Sequence, residues 1–196
     1  MGRCHGRRAS WRCGRVSHGS LPRLDAADAR QSFAAIAHAN PGGLGSRPDN
    51  DVRSPPAIGL VAAMALAAEV DLVARQYRDG FRDIFDVGLP AGDSAAWATG
   101  YALGDGPALA IYLAFASKFP DSHIARKYGT ETAEACRERF ESFSNFLNDI
   151  ADPQKQLAAA LAFDAELKRQ GRNPGTSADL TVAALFVRNL AEARAG

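Results

Sequence analysis

Apolar residues in this chain recur at helical spacing and nowhere alternate as a strand requires, and that regularity decides the fold class. In "RNPGTSADLTVAALF", residues 172–186, Leu180, Ala183 and Ala184 mark one helical face, which Val187 continues. β-Branched residues are scarce, while glycine and proline punctuate the runs. The expectation is all-α: a single helical-bundle domain over 25–196 with glycine-rich connecting loops.

The segments can be placed in order. "DAADARQSFAAIAHAN" begins with acids and ends with His38 and Asn40, as the helix dipole favours. Residues 41–56 read as a loop, after which Ser54 and Pro55 are expected to open a helix reaching Tyr77. Its apolar run "AIGLVAAMALAA", residues 57–68, suits a buried core helix. It is too short for a bilayer, which takes about 20 residues. One or two helices are expected over 94–119, interrupted by "GDGP", with a bend at Pro120. Two more follow over 130–149 and 153–170, the last stopped by Gly171. Trp97, Tyr101, Phe115 and Phe119 read as core.

Residues 1–24 carry six arginines and no acid, and lack the apolar stretch of a secretory signal. They are expected to be a disordered or non-native tail. Their Cys4, His5, Cys13 and His18 fit no standard zinc spacing. A net charge of +1 favours neither nucleic acid nor acidic membranes as partners. Three cysteines make no disulfide framework and suit a cytoplasmic protein.

Several stretches hold polar groups dense enough for chemistry. At the start of the last helix stand Asn173, Pro174, Gly175, Thr176, Ser177 and Asp179. Thr176 and Asp179 have capping-box spacing, which would simply start a helix. The same atoms could bind phosphate through unpaired N–H groups, with Asp179 on Mg²⁺. "PDSHIARKYG" gathers His123, Arg126 and Lys127 on one helical face, suited to polyphosphate or to solvent. Gly42, Gly43 and Gly45 lie in a loop whose N–H groups could wrap phosphates, near Asp49, Asn50 and Asp51. Asp79, Asp83 and Asp86 share a face if helical, beside Arg75, Arg78 and Arg82. A salt-bridged ladder is the default there, and Mg²⁺ the minority reading.

Together "NPGTSADLTVAALF", "FPDSHIARKYG" and "ANPGGLG…DVRSPP", with "ARQYRDGFRDIF", resemble the triphosphoribosyl-dephospho-coenzyme A synthases over about residues 24–190. The resemblance implies an all-α fold. It also implies transfer of ATP's triphosphoribosyl group to the 2′-hydroxyl of 3′-dephospho-CoA, with release of adenine. The product is the prosthetic-group precursor of an acyl-carrier subunit, of malonate decarboxylase or citrate lyase type. It implies ATP and dephospho-CoA as ligands, with Mg²⁺ on the triphosphate.

Under this resemblance Asp179 and His123 take catalytic roles, Asp179 also being the candidate Mg²⁺ ligand. Arg126, Lys127, Asn173, Gly175, Thr176, Ser177, Gly42, Gly43 and Gly45 bind substrate. The family's Lys-Pro-Gly and Asn-Thr-containing glycine motifs do not occur in the sequence. The chain therefore reads as the C-terminal two thirds of such an enzyme. It is expected to be inactive alone and to self-associate through uncovered surface. The alternatives are a non-catalytic remnant and a helical nucleotide-binding or interaction module.

Overall fold

The computed structural model describes residues 25–38, 57–94 and 106–195, and every regular element among them is helical. In chain order these are α1 (Ala26–His38), α2 (Leu60–Ala65), α3 (Leu72–Arg78), a π-helical turn (Ile84–Gly88) and α4 (Leu89–Gly92). There follow α5 (Gly106–Lys118), α6 (Ser122–Tyr128), α7 (Thr130–Asn148), α8 (Pro153–Arg169) and α9 (Gly175–Ala195). The all-α expectation holds for the described residues. They contain no helix long and apolar enough to cross a membrane. Contacts divide the chain into two compact units, Met1–Arg82 and Asp83–Gly196.

In the first unit, two acids cap α1 reciprocally. Asp25 Oδ1 accepts from the N–H of Ala27 at 2.7 Å and of Asp28 at 3.1 Å, while Asp28 Oδ2 accepts from the Asp25 N–H at 2.9 Å. Ala29 and Phe33 of α1 then pack on Leu60 and Ala63 of α2. The helix expected to reach Tyr77 is two helices. α2 ends at Ala65, and Asp71 opens α3 by accepting from the Ala74 N–H at 2.9 Å. Such a cap is worth about 1 kcal/mol, enough to restart a helix in an apolar run. The run 57–68 is therefore not a continuous buried helix: Leu60, Ala63 and Ala68 are buried, while Leu66 is 53% exposed.

The expected ladder of Asp79, Asp83 and Asp86 is also interrupted. Gly80 and Phe81 take φ values of 67° and 57°, which end α3 before the next helical segment. A left-handed phenylalanine costs roughly 1–2 kcal/mol; its ring meets Tyr77 at 5.1 Å. The salt bridge itself holds at Asp79. Arg78 Nε lies 2.7 Å from Asp79 and its Nη1 2.5 Å from Glu69. The Arg78 hydrogen bond keeps the Asp79 carboxyl below the usual carboxylate range.

The second unit centres on α7, whose Ala133, Cys136, Phe140 and Leu147 join Ile124 of α6 and Leu167 of α8 in one core. Burying side chains of the size of Phe140 or Leu147 contributes about 1.5–3 kcal/mol each. Phe163 of α8 stacks on Phe143 at 4.0 Å and meets Phe140 edge-on at 5.1 Å, fixing α8 against α7. Phe115 is fully buried, as expected. α5 begins at Gly106, so the glycine–proline pair opens this helix; Trp97 and Tyr101 lie outside the described residues.

Two glycines have steric reasons. A Cβ on Gly88 would lie 2.9 Å from both Ala184 Cβ and Phe115 Cζ, because the π-helical turn presses directly on α5 and α9. Gly171 stops α8 at φ +67°, with its N–H on Lys168 O and the Arg172 N–H on Leu167 O, the paired bonds of a left-handed helix stop.

Candidate functional site at two helix starts

α9 opens at Gly175, directly after the Asn173–Pro174 turn, and its first i→i−4 bond runs from the Ala178 N–H to Pro174 O at 3.1 Å. Thr176 is therefore inside the first turn and is not the cap its spacing suggested. Its Oγ1 accepts instead from the N–H of His123, at 3.2 Å, in the first turn of α6. The acceptor for the α9 start is Asp121. Its Oδ2 accepts from Ser177 N–H at 2.8 Å and from Ser177 Oγ at 3.0 Å. Its Oδ1 caps α6, accepting from His123 N–H at 2.9 Å and Ile124 N–H at 3.2 Å.

One carboxylate, 4% exposed, thus serves two helix starts, its own and that of Ser177, 56 residues further along the chain. A buried lone carboxylate costs several kcal/mol. Four donors and the positive ends of two helices offset that cost. Ser177 is fully buried, and the crevice behind Asp121, among Ile124, Cys136 and Phe140, is too tight for a water molecule. Burial pushes the Cys136 thiol up, so it stays protonated and unreactive.

Above this clasp the surface is polar. His123 is exposed and lies over Gly175: a Cβ on Gly175 would stand 3.6 Å from His123 Cγ and 3.8 Å from Nδ1. Those are ordinary contacts, so neither packing nor backbone geometry demands glycine at 175. Asn173 and Asp179 are exposed beside it. Arg126 and Lys127 are exposed on the last turn of α6, where Lys127 Nζ sits 5.0 Å from the Tyr128 ring centroid.

The structure therefore gathers His123, Gly175, Thr176 and Ser177 around Asp121, with Thr176 and Ser177 turned inward and bonded within the protein. Gly42, Gly43, Gly45 and residues 49–51 lie outside the described residues. Asp121 was missed from sequence, although Pro-Asp-Ser before a helical run is a helix-start signature. Arg172 was missed as well; its Cζ lies 4.1 Å from the Tyr128 ring centroid. Among the described residues, no group of three or more His, Cys, Asp or Glu gathers to hold a metal.

The fold and this surface define an all-α protein with a glycine and a histidine at the joined starts of two helices, and exposed cations on the last turn of the shorter one. Residues 9–196 match the family model of ATP:dephospho-CoA triphosphoribosyl transferase, and the chain belongs to that family. It is similar to a crystal structure from Archaeoglobus fulgidus, assigned as a triphosphoribosyl-dephospho-CoA synthase. The identity is 27% and the TM-score 0.60, over 89% of this chain and 70% of that one. Among curated proteins, none matches significantly.

Proposed function

We propose that this chain transfers the triphosphoribosyl group of ATP to the 2′-hydroxyl of 3′-dephospho-CoA and releases adenine. Family membership supports the reaction, and the joined helix starts support its location. In the reaction the bond between ribose C1′ and the adenine nitrogen breaks. The acceptor oxygen bonds to C1′, its proton leaves, and adenine departs with a proton.

The observation that carries the location is His123 lying over a glycine that the fold itself does not require. Glycine there lets a ligand lie against the backbone of the α9 start. Arg126 and Lys127 hold the triphosphate, which fixes the ribose and supplies proximity. Asn173 offers its amide. Asp179 steadies the positive charge growing on the ribose as adenine leaves. His123 donates a proton to adenine or bonds a phosphate.

Thr176 and Ser177 act by holding the opening in shape with Asp121. Asp179 offers one exposed carboxylate, which fits Mg²⁺ carried mainly by phosphates and water; the ion would neutralise triphosphate charge. The product would serve an acyl-carrier subunit of malonate decarboxylase or citrate lyase type, in the cytoplasm.

The test supplies the chain with ATP, Mg²⁺ and dephospho-CoA, measuring adenine by chromatography and the product by mass. Gly175→Ala should keep the wild-type melting temperature and slow adenine release by about tenfold or more, the scale of a small misplacement. Equal rates would remove the α9 start from the site. ATP binding without adenine release by the wild-type chain would leave a nucleotide-binding module.

A further inference from the structure

Beside the opening stands a second cationic feature that the proposed roles leave unused. Arg172 directly follows the Gly171 stop and directly precedes Asn173. Its guanidinium is half-buried and lies on the Tyr128 ring, with Cζ 4.1 Å from the centroid. Tyr128 is itself fixed, because its hydroxyl donates to Gly171 O at 2.9 Å. Lys127 Nζ approaches the same ring at 5.0 Å. Arg172 Nη1 is sealed from water and has no acceptor. Among the described residues, no carboxylate pairs with Arg172 or Lys127.

This arrangement is costly as it stands. A guanidinium partly removed from water is normally paired, because desolvation is otherwise uncompensated. The ring returns part of that cost by cation–π attraction but supplies no hydrogen-bond acceptor. Two cations directed at one ring also repel each other. An oxyanion at the accessible nitrogens of the guanidinium offsets the desolvation and the repulsion electrostatically, since the charge is delocalised over the whole planar group, while Nη1 itself stays buried. Arginine suits this task because its fork matches two oxygens of one phosphate or of two neighbours.

We propose that Arg172, seated on Tyr128 with Lys127 beside it, binds an oligophosphate. The choice of a nucleotide's oligophosphate rests on the transferase reading above; the anion site itself rests on the unpaired guanidinium. Two ligands of that reaction carry the chemistry: the triphosphate of ATP and the diphosphate of dephospho-CoA. Tyr128 acts as a positioning residue that holds the fork edge-out next to Asn173–Gly175.

The experiment titrates the full chain, Arg172→Gln and Arg172→Lys with inorganic tripolyphosphate, ATP·Mg²⁺ and dephospho-CoA by calorimetry. Near-ultraviolet circular dichroism serves as the folding control. Tripolyphosphate affinity should fall by about tenfold or more in Arg172→Gln, the scale of one charge-assisted fork. Arg172→Lys, which keeps the charge and the stem, should recover only part of it. Loss confined to ATP assigns the triphosphate, and loss confined to dephospho-CoA assigns the diphosphate; either supports the site.

Unchanged affinities in Arg172→Gln, or wild-type affinities in Arg172→Lys should the glutamine variant not fold, overturn it. So does a wild-type chain that binds none of the three. Adenine release separates this outcome from the reaction. Turnover with Arg172-independent binding ends the site and keeps the transferase. Arg172-dependent binding without turnover does the reverse.

Discussion

Two helices of this protein begin by opposite means. α1 is started by its own acids: Asp25 and Asp28 are neighbours in sequence, and their bonds face solvent. α9 is started by Asp121, which lies 56 residues before Ser177, is buried, and caps α6 with its other oxygen. When a solvent-facing cap is lost, water takes its place, so the loss is small. Nothing replaces a buried acceptor shared by two helices. The difference shows that a helix start can be an ornament of one helix or a joint between two.

The largest effect expected is that of Asp121→Ala, which removes four hydrogen bonds at once and leaves the His123 N–H only its longer bond to Thr176. Chemical denaturation should show a loss of about 3–5 kcal/mol, the range for breaking a buried charged network. Asp121→Asn should lose less, since one amide oxygen still accepts while the NH₂ faces a donor. A loss under about 1 kcal/mol for the alanine variant would erase the contrast between the two starts.

Ser177→Ala removes one of the four bonds and leaves the N–H bond to Asp121 in place. About 1 kcal/mol is expected by the same measurement.

Asp25→Ala should have the smallest effect, seen as faster amide exchange in the first turn of α1. The backbone N–H groups of Asp28 and Ala27 lower the Asp25 carboxyl below its ordinary value. Its contribution is therefore complete above the ordinary aspartate pKa of about 4 and is lost as pH falls through the depressed folded value. Wild type and Asp25→Ala should differ at neutral pH and converge in acid. A constant difference at all pH values would show that the carboxylate is not the cause.

What could be read from sequence follows the same division. The stop at Gly171, the span of α7 and the acid start of α1 are local events, each written within a few neighbouring residues. The break between α2 and α3 was not legible, because the apolar run extends into it as far as Ala68 and Asp71 looks like an ordinary surface acid. The shared face of Asp79, Asp83 and Asp86 was conditional on one helix through Gly80, and the condition fails because Gly80 and Phe81 are both left-handed. At the site, His123 and Gly175 were both identifiable, each in its own motif. The bond that joins them was not, since Asp121 acts on Ser177 through folding alone. Arg172 escaped for a related reason: its seat on the Tyr128 ring, away from any carboxylate among the described residues, exists only in three dimensions.

The joint at Asp121 also fixes how the opening responds to ionic strength. Each helix start carries about half a positive charge, so two together roughly equal the single negative charge they enclose. The clasp is close to neutral and, being buried, indifferent to dissolved ions. It therefore exerts little long-range pull on a polyanion. That pull falls to Arg126, Lys127 and Arg172, whose side chains reach solvent and whose fields fade over about 8 Å at physiological ionic strength. Added salt should then weaken capture of a phosphorylated ligand steeply while leaving the architecture that receives it unchanged.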